Sequence, residues 1–554
     1  MAQIPYRGNL SAATFPLTLA KSGRSVIVPQ LDQNFDRRVD PPGDTTKNVG
    51  IPQAVYLENV LPTYDGYQSI GLVPAANLPP DVGSTIVASI RLPVKDPAGG
   101  GPPFGFFYIL EFYGNNTCRY IVADSLLPAY NNAWAVATVP GPFKSPGSSD
   151  HVFWAHAQGR TFCFIIDTVP VTPVPYLYEV TIVAAVVTFT DVTGTVAGLP
   201  ASGTWRSIAG AYNYLVINTF STVYWSSLVN PLDFAASLIT GAGFESVGAN
   251  LTYMNFLCHA SIGFYIFTKS NIVVAQYTGN RAYPWRFIPV ENSGVVTLRT
   301  EVLNSVEADD VFVHTARGQI QQIQGREATQ ILADVTDYLE RDVDIDTLTW
   351  ATGLFTTAKA VGLTQTKLTS RLWFVSERFL IISYNLVGVK FQDAILYDIL
   401  LRRLGKIKFP HTHIYDDGVG FSLFDTQGAG PYNFVRISTD IHETWLAGAG
   451  THTGIIVLGN FKATRNSIVT LEQIDVEALS DTTIAGTKVF ESKYMGTTDE
   501  INFTDVVTPY TALQTRYSVK YKLHKSASSF RVGFRGQFRI SFLELKFHIS
   551  GHEL

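Results

Sequence analysis

The stretch GFYIFTKSNIVVAQYTG, residues 263–279, decides the fold class. Two runs rich in β-branched and aromatic residues flank a short polar segment, Lys269-Ser270-Asn271. Such runs favour strands, and a short polar break between them favours a tight reversal of the chain. The stretch therefore predicts an antiparallel β-hairpin that turns at residues 269–271.

The same pattern recurs along the chain. Two more hairpins are predicted by YNYLVINTFSTVYWSS (residues 212–227), turning near Phe220-Ser221, and by RLWFVSERFLIISYN (residues 371–385), turning at Ser376-Glu377-Arg378. Further strand-like runs are FGFFYILEFYG (104–114), RTFCFIID (160–167), TGIIVLGNFKAT (453–464) and SFRVGFRGQFRISFLELKFHIS (529–550). A single hairpin cannot bury both of its faces, whereas hairpins repeated around an axis can. We therefore expect an all-β chain built as an irregular β-propeller; a pair of large β-sandwiches is the competing architecture.

One stretch predicts a helix. In EATQILADVTDYLERD (residues 327–342) the apolar positions from Ile331 to Leu339 fall on one helical face. We therefore expect one or two short helices beside the sheets. The most apolar run, VTIVAAVVTF (residues 180–189), is about half as long as a membrane span and predicts one buried strand, so no membrane-spanning segment is expected.

The composition favours an oligomer that does not bind DNA tightly through its phosphates. Charged residues make up 16% of the chain, against 46% hydrophobic and 12% aromatic residues. Soluble domains usually carry about a quarter charged residues, and subunit interfaces prefer aromatic residues to charges. The formal net charge of −5 argues against a protein that neutralises duplex phosphates, but it suits a wall along which DNA slides.

The cysteines and the N-terminus indicate where the chain is assembled. Cys118, Cys163 and Cys258 are odd in number and have no metal-type spacing, so we expect no disulfide framework and a reducing compartment. The first residues lack the sustained apolar region of a secretory signal. Assembly in a cytoplasm is the expectation.

The sequence carries no nucleophile elbow, P-loop or H-E-x-x-H motif. We therefore expect no enzyme, no catalytic residues and no bound cofactor or metal. Asp342, Asp344 and Asp346 hint at a calcium loop, but Thr347 and Gly353 stand where such a loop needs glycine and glutamate. A strand with carboxylates on its polar face is the favoured interpretation.

Two other motifs have both a chemical and a structural interpretation. His411-Thr412-His413 would put two imidazoles on one strand face, ahead of Asp416 and Asp417, but no third metal ligand is placed and a solvated loop is favoured. Residues 438–445, STDIHETW, resemble the Asp-box of sialidase-like propellers, with His442 where glycine belongs. That box is a hairpin device, and nothing in the sequence singles out the paired carboxylates that glycoside cleavage needs.

A basic run supplies the one candidate contact to phosphate. It consists of Arg402, Arg403, Lys406 and Lys408. These cations would suit a nucleic-acid backbone. A solvated hairpin end is the alternative interpretation.

Several segments occur in a characteristic order. They are AVYLENVLPTYDG (54–66), VYWSSLVNPLDF (223–234), the hairpin and turn of 264–294, DVFVHTARGQIQQ (310–322) with the predicted helix at 331–339, AILYDILLRRLG (394–405) and Leu543-Glu544-Leu545. Their order resembles the tail nozzle proteins of short-tailed bacteriophages, of the tail tubular protein B and packaged-DNA stabilisation types. Leu404-Gly405 departs from the family's Trp-Gly, and residues 75–200 match poorly.

The resemblance implies a structural virion protein made of three parts. These are an N-terminal arm and platform entry (1–70), a β-propeller with loop insertions (71–470) and a C-terminal β platform that docks fibres (471–554). Six copies would form a ring at the distal end of the tail, below the head-to-tail adaptor and beside tail fibre or spike proteins. The ring would retain packaged double-stranded DNA and pass it at infection, without reading its sequence. Such a chain would be assembled in the bacterial host cytoplasm.

A second function from another class stays open. A receptor-binding or glycan-degrading tail propeller would also be β-rich. It predicts a cleft with paired carboxylates or with stacked aromatic side chains.

Overall fold

The computed structural model describes residues 24–28, 53–63, 67–74, 86–92, 106–124, 135–139, 143–183, 186–246, 254–298, 302–304, 311–332, 345–349, 356–360, 370–375, 378–388, 390–401, 403–416, 421–425, 433–438, 454–461, 467–479, 490–497, 505–506, 510–511, 516–527, 529–536 and 538–552. Within these ranges the regular elements are β-strands, apart from three 3₁₀ turns at Ser149–His151, Thr193–Thr195 and Ser202–Thr204. The predicted all-β class is confirmed.

Five short strands come first in the chain. They are β1 (Arg24–Val28), β2 (Gln53–Glu58), β3 (Val60–Pro62), β4 (Tyr67–Ser69) and β5 (Gly71–Pro74). Asn59, between β2 and β3, has a φ of 51°, in the left-handed region that asparagine tolerates better than most residues. The backbone can therefore change direction there without a glycine.

Five four-stranded antiparallel sheets follow, and each pairs strands that are neighbours in sequence. Their strands are β6 (Ile86–Leu92), β7 (Phe106–Tyr113), β8 (Thr117–Asp124) and β9 (Ala135–Val136); β10 (Val152–Ala157), β11 (Arg160–Asp167), β12 (Val174–Val183) and β13 (Val186–Asp191); β14 (Ser207–Ala211), β15 (Tyr214–Asn218), β16 (Thr222–Trp225) and β17 (Gly243–Ser246); β18 (Met254–Ala260), β19 (Gly263–Thr268), β20 (Ile272–Tyr277) and β21 (Trp285–Pro289); β22 (Val302–Asn304), β23 (Val311–His314), β24 (Ile320–Gln324) and β25 (Glu327–Ile331).

The rest of the chain adds two more such units and a set of longer strands. The strands are β26 (Ile345–Thr349) and β27 (Thr356–Ala360), a separate hairpin; β28 (Arg371–Val375), β29 (Phe379–Val387), β30 (Lys390–Asp398) and β31 (Arg403–His411); β32 (His413–Asp416), β33 (Phe421–Asp425) and β34 (Asn433–Ser438); β35 (Gly454–Phe461), β36 (Ser467–Leu479), β37 (Phe490–Thr497), β38 (Asp505–Val506), β39 (Tyr510–Thr511), β40 (Arg516–Ala527), β41 (Ser529–Gly536) and β42 (Arg539–His552).

The N-terminal strands are distributed among sheets built by the end of the chain. β5 pairs with β34 and completes a four-stranded sheet with β32–β34. β3 pairs with β31 while β4 pairs with β42, so a single ten-stranded sheet runs β28-β29-β30-β31-β3-β4-β42-β36-β40, with β1 also on β42. β2 joins β35 in a six-stranded sheet with β41, β37, β38 and β39.

The three predicted hairpins are confirmed by the antiparallel pairing of β19 with β20, of β15 with β16 and of β28 with β29. Residues 269–271 connect β19 to β20, and residues 219–221 connect β15 to β16. Ser376 and Glu377 of the third predicted turn lie outside the described residues. In the first turn the Thr268 hydroxyl donates to the Asn271 carbonyl (2.8 Å), while the Asn271 amide donates to Thr268 Oγ1 (3.0 Å). Local side chains of this kind fix a turn, which is why a short sequence window suffices to predict it.

Two predictions of secondary structure are wrong. The start of the predicted helix, Glu327–Ile331, is strand β25, because pairing with β24 satisfies its backbone and buries Ala328; residues 333–339 of that prediction lie outside the described residues. The run 180–189 spans two strands, β12 and β13, whose ends meet at the pair Val183–Val186. In the first case, pairing with the neighbouring strand β24 thus overrides the local helical periodicity.

The core lies between successive sheets. Phe112 and Phe189 meet edge to face at 6.2 Å between the sheets that start with β6 and β10. Phe153 of β10 and Phe256 of β18 bring their rings to 6.4 Å within the largest apolar cluster, and Phe312 of β23 lies 5.3 Å from Phe374 of β28. Aromatic pairs of this spacing add to area burial, so each sheet is held by its neighbours.

Gly210 allows β14 to lie close to β10; each of these is the first strand of its sheet. A Cβ atom at this position would lie no more than 3.0 Å from the backbone N, C and O atoms of His156 in β10. We expect Gly210→Ala to lower the free energy of unfolding by about 1–3 kcal/mol, because the backbone cannot yield as a flexible side chain would.

Urea denaturation of the full chain measures this effect. Gly194→Ala is the matched control, since a Cβ atom there would meet nothing within 4 Å. Equal unfolding midpoints for the two variants would contradict the assigned packing of β10 against β14.

Candidate functional site

The basic run does not present one cationic surface. Arg403 is buried and its Nη1 donates to the Thr63 carbonyl at 2.6 Å. Lys406 is buried too, with Nζ 3.9 Å from Asp393 Oδ1. Lys408 is half-exposed and its Nζ lies 3.3 Å from Glu58 Oε2; Arg402 lies outside the described residues. The structure therefore places two of the four predicted phosphate contacts in the protein interior.

The two histidines of the H-T-H motif are buried rather than solvated. His411 bonds through Nδ1 to the Phe409 carbonyl and through Nε2 to Ser383 Oγ, both at 2.7 Å. Because Nδ1 must donate to a carbonyl, Nε2 of the neutral ring accepts the Ser383 hydroxyl proton. Trp373 Nε1 donates to the same hydroxyl oxygen at 3.0 Å. Both ring nitrogens of His411 are thus occupied, and neither is left for a metal.

Ser383 and His411 form the pair that nucleophilic catalysis uses, but in a closed setting. Both side chains are fully buried, and a backbone carbonyl holds the imidazole where a catalytic site would use a carboxylate. No substrate atom reaches Ser383 in this arrangement. The pair is a structural link between β29 and β31.

His413 is kept neutral by its surroundings. Burial, together with smaller effects of Arg371 and His411 in the same direction, lowers the pKa of His413 to about 3. Its ring lies 6.0 Å from that of Trp373, over which the Arg371 guanidinium stacks at 4.2 Å. The motif thus forms part of the packing between β28 and β32.

The remaining predicted motifs fall mostly outside the described residues. Of the D-x-D-x-D aspartates, Asp346 lies in β26, while Asp342 and Asp344 are outside. In the segment that resembles an Asp-box, Ser438 is the last residue of β34, and residues 439–445 lie outside the described residues. Among the residues that the structure describes, no group of three or more His, Cys, Asp or Glu side chains can hold a metal ion.

The structure brings together a different set of residues, at the ends of the first hairpins of three successive sheets. We call these turns, residues 158–159, 212–213 and 261–262, the hairpin rim. Gln158 Nε2 donates to the Ser227 carbonyl (2.6 Å) and, more weakly, to the Asn213 carbonyl (3.4 Å). The Tyr212 hydroxyl donates to the Ser261 carbonyl at 2.9 Å. In both cases the first residue of the turn donates a hydrogen bond to the next sheet, so these bonds connect successive hairpins of the rim.

Tyr212 adopts an unusual backbone conformation. Its φ is 48° and that of Asn213 is 67°, the two left-handed residues of a type I′ turn. Asparagine suits such a position, whereas a bulky ring does not. The ring of Tyr212 stacks on that of Tyr277 at 4.2 Å with an interplanar angle of 17°. This contact and the hydrogen bond to Ser261 offset the conformational free energy that the positive φ of Tyr212 costs.

Tyr212 belongs to a group of four aromatic residues that we call the rim cluster. Its members are Tyr212, Tyr214, Tyr277 and Trp285. Tyr214 is fully buried and its ring lies 5.6 Å from that of Trp285, which in turn lies 5.6 Å from Tyr277. Tyr212 itself is 47% exposed. The ring of Tyr212 is therefore partly exposed to solvent and is held in place by its stacking on Tyr277.

Polar atoms of the rim cluster lack protein partners. Tyr214 Oη, Trp285 Nε1 and the nearby Thr240 Oγ1 are buried without a hydrogen bond. Burial raises the pKa of Tyr214, with a smaller opposing effect of Arg281, so its hydroxyl keeps its proton at neutral pH. Three hydrogen-bonding groups in and beside the rim cluster are thus buried without a protein partner.

Sequence reasoning missed this site. The residues of the rim cluster read as ordinary strand aromatics of a predicted hairpin. One signal could have found it, since Ala157, Ala211 and Ala260 each precede a two-residue turn in three successive sheets. Alignment on these alanines places Tyr212 level with Gln158 at the first turn position.

Comparison with known proteins identifies no family. No protein-family model and no curated protein matches the chain. The solved structures that it is similar to include an exo-β-1,3-galactanase from Phanerochaete chrysosporium with galactose, at 9% identity over 88% of this chain and 95% of that one, with a TM-score of 0.22. A protein described as a glycoside hydrolase matches at 8% identity over 84% and 98%, with a TM-score of 0.24. The β-fructofuranosidase from Schwanniomyces occidentalis complexed with fructosyl-erythritol matches at 8% identity over 88% and 98%, with a TM-score of 0.25.

The sequence-based prediction that the chain is not an enzyme is corrected by this finding. All three similar structures are of enzymes. The prediction rested on the lack of catalytic motifs, but the carboxylate pairs of glycoside cleavage are brought together by folding and leave no fixed spacing in the sequence. At TM-scores of 0.22 to 0.25 the likeness assigns none of these activities to this chain.

None of the helices in the described part of the chain is long and apolar enough to cross a bilayer.

Proposed function

We propose that this chain is a structural subunit of a short bacteriophage tail, in which copies form a ring that continues the DNA channel below the head-to-tail adaptor. The order of sequence segments between residue 54 and Leu545 supports this proposal. The sheet arrangement supports it too, through a series of similar units and a set of long strands attached to them.

We infer that the units form an irregular seven-bladed β-propeller. Six four-stranded sheets, together with β28–β31 of the ten-stranded sheet, make seven units. β5 precedes the first unit in the chain and supplies the fourth strand of the last, with Leu72 opposite Ile437. Such a shared strand closes the series by backbone hydrogen bonds and leaves only short edges.

One observation carries the structural role. Through β3 and β4, the unit β28–β31 and the long strands β36, β40 and β42 belong to a single hydrogen-bonded sheet. Force on the long strands would pass to the propeller through the sheet itself rather than through a flexible linker. This continuity suits a platform that docks an adaptor and fibres while packaged DNA presses on the ring.

Electron cryo-microscopy of phage particles that contain this chain tests the proposal. We expect a ring of copies on the six-fold tail axis, with seven-bladed density in each copy and heterologous contacts that close the ring. Particles whose tail axis lacks the chain, or a chain seen only as single copies around it, would sink the proposal.

A second candidate is a tail propeller that recognises or degrades glycans. The exposed ring of Tyr212, stacked on Tyr277, favours it, because stacked aromatic residues are what such a function predicts. Release of reducing sugar from host surface polysaccharide by the purified chain would support this candidate. No release from any host polysaccharide would remove its degrading form.

A further inference from the structure

Four large apolar side chains protrude from two neighbouring sheets, at the end that carries the hairpin rim. Val229, Leu238 and Ile239 lie in the connection from β16 to β17, and Tyr283 lies in the connection from β20 to β21. Successive connections of an antiparallel sheet lie at alternate ends, which places both of these at the end of the rim. All four side chains are between 74% and 84% exposed. We call these four residues the apolar tip.

The turn that carries Leu238 and Ile239 is closed by its own backbone. The Ser237 amide donates to the Ala242 carbonyl and the Gly241 amide donates to the Ser237 carbonyl, both at 2.9 Å. These hydrogen bonds span the two apolar residues from both sides. The turn itself therefore holds the two side chains in solvent.

A second closed turn lies against the first. In the connection from β20 to β21, the Thr278 amide donates to the Pro284 carbonyl at 2.9 Å. Arg281 of this turn donates from Nη1 to the Ile239 carbonyl at 3.4 Å, and its Cγ would lie 3.0 Å from a Cβ atom at Gly241. The two turns are thus in contact, and the guanidinium lies beside the apolar tip.

Arg281 is the one charged residue in the two turns, residues 237–242 and 278–284. Its side chain is exposed, and no carboxylate among the residues that the structure describes forms an ion pair with it. The nearest acidic residue in the chain, Asp233, accepts the Ala235 amide hydrogen at 3.0 Å. The two turns therefore combine protruding apolar side chains with one cation and no anion.

We propose that the apolar tip inserts into the interface of a bilayer that contains anionic lipids. Val229, Leu238 and Ile239 enter the boundary of the acyl chains. Tyr283 lies at the level of the headgroups, where tyrosine is enriched, and Arg281 pairs with a lipid phosphate.

The shape of the surface favours a bilayer over a protein partner. An exposed apolar patch marks a contact with one or the other. A protein would need a hollow that matches two adjacent turns, because packing at the centre of a protein interface is as dense as in a protein interior. Acyl chains adapt to any outline, and anionic headgroups supply a counter-charge to Arg281 wherever it meets them.

The inference goes beyond the tail-ring proposal and does not rest on it. It concerns a surface of one copy of the chain. If the chain does form a tail ring, the end that carries the hairpin rim would be the end that meets the host envelope.

Flotation of the purified full chain with lipid vesicles tests the inference. The probes are vesicles of phosphatidylcholine alone and vesicles of phosphatidylcholine mixed with phosphatidylglycerol. Physiological salt screens the net charge of −5 beyond about 8 Å. We expect the wild-type chain to bind the mixed vesicles about fivefold more tightly than the neutral ones, the effect of one cation at an anionic surface.

Two variants separate the apolar and the charged contributions. Leu238→Ser/Ile239→Ser should weaken binding to both kinds of vesicle by about tenfold or more, because it removes two side chains that the bilayer buries. Arg281→Gln should abolish only the preference for the mixed vesicles.

Val169→Ser/Val171→Ser is the matched control. These two valines are even more exposed than the apolar tip, but the connection from β11 to β12 lies at the opposite end of its sheet from the hairpin rim. The control variant should float as the wild type does. Thermal unfolding of every variant shows that the fold persists.

Three outcomes would overturn the inference. They are a wild-type chain that floats with neither kind of vesicle, a Leu238→Ser/Ile239→Ser variant that floats as the wild type does, and an equal loss of binding in the control variant. A chain that binds no vesicle but forms oligomers that Leu238→Ser/Ile239→Ser dissociates, as measured by analytical ultracentrifugation, would assign the tip to a second copy instead. Vesicle binding by a chain that is absent from tail particles would sustain the inference and refute only the tail-ring proposal.

Discussion

Replacing Lys406 by methionine is expected to lower the free energy of unfolding by about 3–5 kcal/mol. Lys406 and Asp393 are both almost fully buried, and their charged groups lie 3.9 Å apart. Asp393 Oδ2 also accepts a 2.7 Å hydrogen bond from Asn385 Nδ2. Removing the cation would leave a buried carboxylate next to this neutral amide.

Lys408→Met supplies the matched control two residues along the same strand. Lys408 is half-exposed and meets Glu58 at 3.3 Å, and a pair of this kind contributes at most about 1 kcal/mol. Urea denaturation at neutral pH compares the two variants. The double variant Lys406→Met/Asp393→Leu should recover much of the loss, because it removes both charges together. Equal midpoints for Lys406→Met and Lys408→Met would refute the assigned burial.

The contrast between these two lysines could not be predicted from the sequence. Strand periodicity places Lys406 and Lys408 on the same face, which gives them the same expected exposure. Their environments differ because β3 pairs with β31 at Val60 and Lys406, while the Lys408 amide is bound by Asn59 Oδ1 at 2.8 Å. These partners come from the other end of the chain, beyond the reach of any local pattern.

Local patterns did predict the hairpins. The turn at residues 269–271 is fixed by Thr268 and Asn271, which are close in sequence. The predicted helix was wrong for a related reason: Ile331 and its neighbours have a helical spacing, but Glu327–Ile331 finds a strand partner in β24 across a two-residue turn at Gly325. A turn fixed by its own side chains can be predicted from a short window, whereas a strand whose apolar residues also have a helical spacing cannot be recognised without knowledge of its partner strand.

The rim cluster illustrates the same limit for function. Tyr212 and Tyr277 are 65 residues apart and meet only because two sheets pack side by side. By contrast, four residues of the motifs that the sequence does show are buried in the sheets: Arg403, Lys406, His411 and His413. In this chain the spacing of polar residues along one strand is therefore a poor guide to the groups that meet solvent.

Acidification is expected to destabilise the chain through His413. The pKa of His413 is lowered to about 3 by burial, and secondarily by Arg371 and His411, whereas an unfolded histidine titrates near about 6.5. Between these values the unfolded chain binds a proton that the folded chain does not. Stability from this group is thus complete above about pH 6.5 and falls as the pH is lowered towards 3, by about 1.4 kcal/mol per pH unit.

His413→Phe should flatten this dependence, since it keeps a ring against Trp373 and removes the titrating group. Burial also lowers the pKa of His156, so a smaller slope of the same sign remains and His156→Phe should reduce it further. Urea midpoints measured from pH 7.5 to pH 4.5 report the slope for wild type and both variants. A wild-type chain whose stability is level down to pH 4.5, or a His413→Phe variant that loses stability as steeply as wild type, would show that the His413 ring reaches solvent and that β28 and β32 do not enclose it.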